Sequence, residues 1–147
     1  MTSPAQSAPG ELKTVVIERE IAHPPEKLWR ALTQPHLMAE WLMRNDFQPT
    51  VGHRFNLRGD WGGVLDCEVL SLEPPHSLSY SWNHRHENPA YDLTSVVTFT
   101  LTPTPGGTRL RMEQAGFRPD QKQAYAGAFA GWRHFFDRLD QLLARAD

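Results

Sequence analysis

Apolar and polar residues alternate over much of the chain, and a two-residue period of this kind predicts β-strands. In segment 12–21 the side chains of Val15, Ile17 and Ile21 fall on one side of the predicted strand, while acidic residues fall on the other. Further segments with this period cover 53–58, 64–72, 78–82, 93–101 and 109–113. Because one side of each strand is apolar and the other is polar, we predict an antiparallel sheet with one solvated face.

Proline and glycine residues mark the ends of these strands. Pro25 follows the first strand and suits a first helical turn, because its missing N–H would have no partner there. The apolar spacing predicts a short helix over 25–33 and a second one within 35–42. The Pro-Gly-Gly sequence at 105–107 is typical of a β-hairpin turn, and segment 83–92 is predicted to be a polar loop.

Segment 121–144 has the strongest helical pattern in the chain. Its large apolar residues recur at steps of three and four, which gives a continuous apolar stripe along one face. The stripe consists of Tyr125, Phe129, Trp132, Phe136, Leu139 and Leu143. Gly127 and Gly131 lie within the same helix, where each costs about 1 kcal/mol relative to alanine. We therefore expect a close approach or a packing contact to require these glycines.

The amino-acid composition limits the classes of protein to which this chain can belong. The chain has 147 residues, 39% of them hydrophobic, which suits one domain with a substantial core rather than a disordered chain. A formal charge of −2 gives no basic excess, so nucleic-acid binding is not expected. Residues 1–11 are rich in Ser, Ala and Pro. We expect them to form a flexible tail ahead of a single domain at 12–147.

Cysteine content and hydropathy indicate the cellular location. Cys67 is the single cysteine, so an internal disulfide cannot form and a reducing compartment is favoured. We interpret its side chain as a small buried hydrophobe rather than a nucleophile. No apolar run approaches the roughly 18 residues of a membrane helix, and the N-terminal segment lacks the features of a signal peptide. These observations predict a cytoplasmic protein.

The order of one strand, two short helices, several antiparallel strands and a long terminal helix is the helix-grip arrangement, and a set of short motifs agrees with it. The motifs are Arg19-Glu20-Ile21-Ala22-His23-Pro24, Leu28-Trp29-Arg30-Ala31-Leu32-Thr33, Trp41, Glu68-Val69-Leu70, Glu73-Pro74-Pro75, the strand 78–82, Ser95-Val96-Val97-Thr98-Phe99, Gly107-Thr108-Arg109-Leu110, Gly116-Phe117 and Gly131-Trp132. They cover nearly the whole chain from residue 12 onward. In this order they resemble the START-like (SRPBCC) superfamily and, within it, the chaperone-ATPase activator homologue (AHSA) family.

This resemblance implies an α+β helix-grip fold, in which a curved antiparallel sheet of six or seven strands wraps around the long C-terminal helix and leaves a cavity between them. Members of the superfamily bind lipids, polyketides, hormones and other apolar molecules, and some catalyse cyclisation. Chaperone activation belongs to larger eukaryotic relatives with a further domain, for which this chain is expected to have no room. Cys67 and Gln114 depart from the pattern, since Gly and His are commoner there. The second departure removes a polar group available to a ligand.

The abundance of aromatic residues is the main indication of function. Apolar side chains that converge between a sheet and a helix, with a few polar groups among them, form the usual small-molecule site. The alternative is that these side chains simply fill the core. We predict that the cavity is lined by Trp41, Phe55, Trp82, Phe99, Met112, Tyr125, Phe129 and Trp132. Trp61, Tyr91 and Phe136 add to the same aromatic set.

Arg19 lies on the apolar side of the first predicted strand. A buried guanidinium must be paired. It therefore either meets a carboxylate, for which Asp66 and Glu68 are candidates, or anchors an anionic group of a ligand. We favour a structural ion pair, because structural networks often resemble functional sites.

Taken together, the residues and the resemblance predict a domain that binds an apolar or amphipathic small molecule in its interior, without a cofactor. A cavity enzyme of the polyketide cyclase type is the first alternative. No catalytic motif is present, but a dispersed Ser-His-Asp set would leave no local signature. A chaperone-interacting or protein-binding module is the second alternative. The alternating Arg, Thr and Glu residues of the outer sheet face argue against it.

Metal binding is not expected. His84, His86 and Glu87 carry ligand atoms, but no spaced Cys/His pattern supplies the remaining ligands. We predict that elemental analysis of the purified protein finds no stoichiometric zinc or iron, and that chelators leave its melting temperature unchanged. A chelator-sensitive melting temperature that becomes insensitive in a His84→Ala variant would show instead that this loop holds a metal.

Overall fold

Residues 12–60 and 62–145 form one sheet and three α-helices in the computed structural model, which describes these residues apart from the side chain of Ala90. The helices are α1 (Pro25–Thr33), α2 (Pro35–Trp41) and α3 (Lys122–Arg145). The strands are β1 (Lys13–Ile21), β2 (Arg44–Asn45), β3 (Arg54–Arg58), β4 (Val64–Glu73), β5 (Ser77–His84), β6 (Leu93–Thr104) and β7 (Gly107–Phe117). A 3-10 turn covers Pro89–Tyr91. The expected tail 1–11 and Trp61 lie outside the described residues.

The strands form a single antiparallel sheet in the order β1-β7-β6-β5-β4-β3-β2. The curved seven-stranded sheet, the two short helices after β1 and the long C-terminal helix confirm the predicted helix-grip fold. Two details differ from the sequence prediction. Asn83 and His84 were predicted to lie in a loop, but they continue β5 because they pair with Thr94 and Leu93 of β6. Strand β2 was not predicted, since two residues are too few to show a period.

The C-terminal half of α3 is packed into the concave side of the sheet. The buried residues of α3 begin just before its midpoint and continue through this half; they are Trp132, Phe136, Leu139, Leu142 and Leu143. The Phe136 ring lies 6.3 Å from that of Trp41 on α2, and the Trp132 ring lies 5.8 Å from that of Phe99 on β6. The ammonium group of Lys27 on α1 donates a hydrogen bond to the carbonyl of Leu143 at 2.8 Å. Helices α1 and α2 and the sheet therefore all hold this half of the helix.

The N-terminal half of α3 is packed less closely. Tyr125 and Phe129 of the apolar stripe are only half-buried. A Cβ atom added at Gly127 or Gly131 would meet no atom within 4 Å. The expectation that close packing requires these glycines is therefore wrong, because both border open space.

Arg19 is mostly buried and is paired with α3. Its Nη1 donates to Asp137 Oδ1 at 2.8 Å and to Asp140 Oδ2 at 3.0 Å. The expected structural ion pair is confirmed, but the expected partners, Asp66 and Glu68, are wrong. Both lie on β4, which three strands separate from β1. The alternation of apolar and polar residues along β1 placed Arg19 on the apolar, concave side of the sheet. Only the tertiary fold determines which helix covers that side.

The convex face of the sheet is polar and carries cross-strand ion pairs. Arg109 and Arg111 of β7 donate to Glu20 and Glu18 of β1 at 2.8 and 2.9 Å. This agrees with the predicted solvated face. None of the helices in 12–60 and 62–145 is long and apolar enough to cross a membrane.

Cys67 is buried in β4 as a free thiol. Burial raises the pKa of this thiol to about 12, and the nearby carboxylates of Asp66 and Asp46 contribute to the increase. The thiolate is the nucleophilic form of cysteine. Its near absence at neutral pH agrees with the interpretation of Cys67 as a small buried hydrophobe.

We expect Phe99→Ala to destabilise the protein much more than Phe129→Ala. Phe99 is 0% exposed, and loss of a packed Phe ring costs about 3–5 kcal/mol. Phe129 is half-buried, with its ring against Tyr125 and beneath the guanidinium of Arg133. Its loss should cost less than about 2 kcal/mol. Urea unfolding of the two variants measures the difference, and equal losses would contradict this description of the packing.

We also expect Cys67 to resist thiol reagents in the folded protein. At pH 8 an aromatic disulfide reagent should react slowly with native protein and rapidly after unfolding in urea. Because folding raises the pKa of Cys67 above its ordinary value near 9, this thiol stabilises the fold fully below pH 9. Its contribution is lost as the pH rises towards 12. Rapid stoichiometric labelling of native protein would contradict the burial.

Candidate functional site

An apolar pocket opens between the N-terminal half of α3 and the adjoining parts of β5, β6 and β7. We call it the tryptophan pocket, and its wall consists of Trp82, Leu93, Gln114, Phe117, Ala124, Ala128, Gly131, Trp132 and Phe135. Its volume is about 150 Å³. The rings of Trp82 and Trp132 lie 5.1 Å apart, and Phe135 packs edge-on against Trp132 at 5.5 Å. The pocket is thus aromatic over much of its wall.

Small residues on α3 create this space. Ala124, Ala128 and Gly131 recur at steps of four and three, so they share one face of the helix. At Gly131 even a Cβ atom would have no neighbour within 4 Å. Because the C-terminal half of α3 fixes the position of the helix, these small residues leave a gap that the sheet does not close.

A chain of hydrogen bonds runs from α3 across the sheet beside the pocket. The indole N–H of Trp132 donates to Gln114 Oε1 at 2.8 Å, and the Gln114 amide donates to Ser95 Oγ at 3.1 Å. The Ser95 hydroxyl then donates to the carbonyl of Trp82 at 2.6 Å. An indole N–H can only donate, so its bond fixes the orientation of the Gln114 amide and the direction of the whole chain. These neutral groups fix the indole of Trp132 and the backbone at Trp82.

A second, more polar groove borders the tryptophan pocket and shares Leu93 and Ala124 with it. Its volume is about 290 Å³. The rest of its wall consists of Tyr91, Asp120, Gln121, Lys122 and Gln123. The amide of the buried residue Gln121 donates to the carbonyl of Asp92 at 2.6 Å, which ties the start of α3 to the start of β6. An apolar space and a polar one therefore lie next to each other.

The structure brings two of the eight predicted cavity residues, Trp82 and Trp132, together in the wall of this pocket. Trp41, Phe99 and Met112 are instead packed in the core, each at most 1% exposed. They are not among the residues that line the tryptophan pocket, and as ligand contacts they remain predictions.

The other three predicted residues lie in two different places. Phe55 packs against Tyr80 at 5.2 Å, in the part of the core beneath β3 to β5. Tyr125 and Phe129 pack against each other at 5.2 Å, and the Tyr125 hydroxyl donates to the carbonyl of Thr14 on β1 at 3.4 Å. As ligand contacts, these residues remain predictions.

Sequence reasoning missed most of the pocket wall, because it searched for large aromatic residues. Leu93, Phe117 and Phe135 were not proposed, and neither were the small residues of α3. A signal was nevertheless present. Ala124, Ala128 and Gly131 lie at helical spacing on the same side of α3 as Trp132, and such a row of small side chains beside a large one is typical of a helix that leaves space.

The segment that contains His84 and His86 lies close to the end of the sheet that borders the two pockets. The rings of His84 and His86 are 6.3 Å apart, and the backbone N–H of His86 donates to the carboxylate of Asp92. Arg118 donates to the carbonyls of Asp92 and Pro89 and so holds the loop. Among the described residues, no group of three or more His, Cys, Asp or Glu side chains is arranged to hold a metal ion.

Comparison with solved structures finds close relatives of this fold. Protein MLL2253 from Mesorhizobium loti is 71% identical, with a TM-score of 0.89 over 92% of this chain and 99% of its own. CalU16 from Micromonospora echinospora is 25% identical, with a TM-score of 0.75 over 99% of this chain and 82% of its own. DynU16, a protein of the dynemicin biosynthetic locus, is 25% identical with a TM-score of 0.78. The match covers 90% of this chain but only 47% of DynU16.

Comparison with curated proteins finds no match. The family described as activator of Hsp90 ATPase homolog 1-like protein matches residues 22–144, from the end of β1 almost to the end of α3. This range contains all the residues of the tryptophan pocket. The chain therefore belongs to the family of activator of Hsp90 ATPase homolog 1-like proteins, within the START-like (SRPBCC) superfamily.

Proposed function

We propose that the protein binds an apolar or amphipathic small molecule between the sheet and α3, with its apolar part in the tryptophan pocket. The observation that supports this most strongly is the open space at Gly131. A glycine inside a helix costs about 1 kcal/mol relative to alanine. At Gly131 neither a close neighbour nor an unusual backbone angle requires it. What its missing side chain provides is room beside two tryptophan rings.

The dimensions of the two spaces favour an amphipathic ligand. A cavity near 150 Å³ holds a single benzene-sized ring, which is the volume of the tryptophan pocket. Ligand sites for larger molecules are roughly 300–1,000 Å³. The polar groove adds about 290 Å³ next to the pocket. A ring or short acyl group in the pocket, with a polar extension along Lys122 and Gln123, would use both spaces.

The wall of the pocket favours binding over catalysis. None of its nine residues carries an ionisable side chain, whereas a cyclase-type reaction needs a group that moves a proton. The ionisable residues Tyr91, Asp120 and Lys122 lie in the polar groove and are exposed to solvent. The position of DynU16 in a biosynthetic locus keeps a cavity enzyme as the alternative. A chaperone-binding role rests on the family description alone, and we continue to expect a cytoplasmic location from the single buried cysteine.

Filling the pocket from α3 tests this function. Gly131→Leu places an apolar side chain in the open space, so it should abolish saturable binding of toluene. The variant should be at least as stable as the parent, because leucine is favoured over glycine in a helix by about 0.5–1 kcal/mol. Toluene binding is followed by the shifts of the indole N–H signals in NMR spectra, and stability is measured by urea unfolding.

Gly127→Leu is the matched control. Gly127 lies in the same helix, borders open space and is exposed, but it is not part of the pocket wall. This variant should gain similar helix stability and bind toluene as the parent does. Loss of binding in both variants, or in neither, would show that the tryptophan pocket is not the binding site. Failure of toluene and a broad library of apolar fragments to bind the parent protein would overturn the function itself.

A further inference from the structure

We propose that the tryptophan pocket selects ligands in which a neutral hydrogen-bond acceptor, such as a carbonyl oxygen, is attached to an aromatic ring, and that the indole N–H of Trp82 is the donor that recognises it. This inference rests on the proposed function and specifies the ligand class of the same site.

Most of these polar groups already have partners within the protein. The Trp132 N–H is bonded to Gln114, and the Gln114 amide is bonded to Ser95. Ser95 completes the chain at the Trp82 backbone carbonyl. A ligand that bound to any of these groups would have to compete with an existing hydrogen bond or share it.

The side chain of Trp82 is different. No described residue accepts a hydrogen bond from its indole N–H. None of the described buried side-chain nitrogen or oxygen atoms is both fully enclosed and unpaired, so this N–H must reach accessible space. Trp82 is only 7% exposed, and it lines the tryptophan pocket. Because the pocket is the open space that Trp82 borders, we infer that the N–H reaches it there.

The chemistry of this donor defines the ligand. An indole N–H donates but cannot accept, so a ligand oxygen or nitrogen must bring a free lone pair. A buried donor that stays unpaired in a bound complex costs free energy, which penalises a pure hydrocarbon of the same shape. The rings of Trp82, Trp132 and Phe135 suit a planar ring beside them.

The electrostatics of the wall favour a neutral acceptor over a carboxylate. The pocket wall contains no cationic side chain. Moving a carboxylate out of water without a counter-charge is costly. A ketone, aldehyde or quinone oxygen offers the lone pair without this cost. We therefore assign aryl carbonyl compounds as the preferred class.

The test uses two probes of the same shape, acetophenone and α-methylstyrene, in which a C=O group is replaced by C=CH2. We expect the parent protein to bind acetophenone roughly two- to tenfold more tightly, the range expected for one net hydrogen bond. In Trp82→Phe, which lacks the donor, the ratio of the two affinities should fall to about one. Trp29→Phe, at a half-buried tryptophan of α1 outside the pocket, should keep the parent ratio.

A second measurement does not depend on the folding of a variant. In the parent protein, one indole N–H signal should move downfield with acetophenone and not with α-methylstyrene. Selective labelling or the Trp82→Phe spectrum identifies this signal. Benzoate, which has the same ring and a charged acceptor, should bind more weakly than acetophenone.

The outcomes separate the two proposals. If neither probe binds, the proposed function fails. If both bind with equal affinity, or if the preference for acetophenone persists in Trp82→Phe, the function stands and the role of Trp82 is overturned. Tighter binding of benzoate would overturn the preference for a neutral acceptor.

Discussion

The packing of four aromatic rings at the C-terminal half of α3 is the contact on which the rest of the structure depends. Trp41 on α2, Phe99 on β6, and Trp132 and Phe136 on α3 lie within 5.8–6.3 Å of their neighbours in this cluster. Large rings bury 150–250 Å² each and prefer tilted or edge-on contacts. This cluster joins the sheet, the short helices and the long helix in one core. The Arg19 ion pairs to Asp137 and Asp140 act on the same half of α3.

A helix held firmly at one end can leave space at the other. Beyond the aromatic cluster, α3 continues towards its N-terminus with Ala124, Ala128 and Gly131 on the face that borders the pocket. Gly131 lowers helix propensity, and nothing in the surrounding backbone requires it. The closely packed part and the open part of α3 thus lie on different stretches of one helix.

The polar side chains beside the pocket are hydrogen-bonded to one another. The bond from Trp132 to Gln114 fixes the direction of the chain that continues through Ser95, so the wall keeps one geometry. Such networks specify a unique arrangement when every member is satisfied. Gln114 stands where the family resemblance suggested that histidine is commoner, and a glutamine there gives the network no titratable group. The shape and hydrogen-bonding capacity of the pocket should therefore change little with pH near neutrality.

The sequence by itself determined six of the seven strands, the three helices and the family, because alternation, helical spacing and the order of short motifs are local properties. It also identified the concave side chains, since parity alone assigns Val15, Phe99 and Arg19 to one side of the sheet. It could not identify the partner of Arg19 or the boundary between core and pocket. Both depend on where along the sheet α3 crosses, which is set by contacts between residues about a hundred positions apart, such as Trp41 and Phe136.

Phe99 and Trp82 look alike in the sequence, yet one became packed core and the other became pocket wall. Only the tertiary structure decided this, because it buries Phe99 fully among packed rings but leaves Trp82, although it contacts Trp132, at the edge of the pocket beside Ala128 and Gly131.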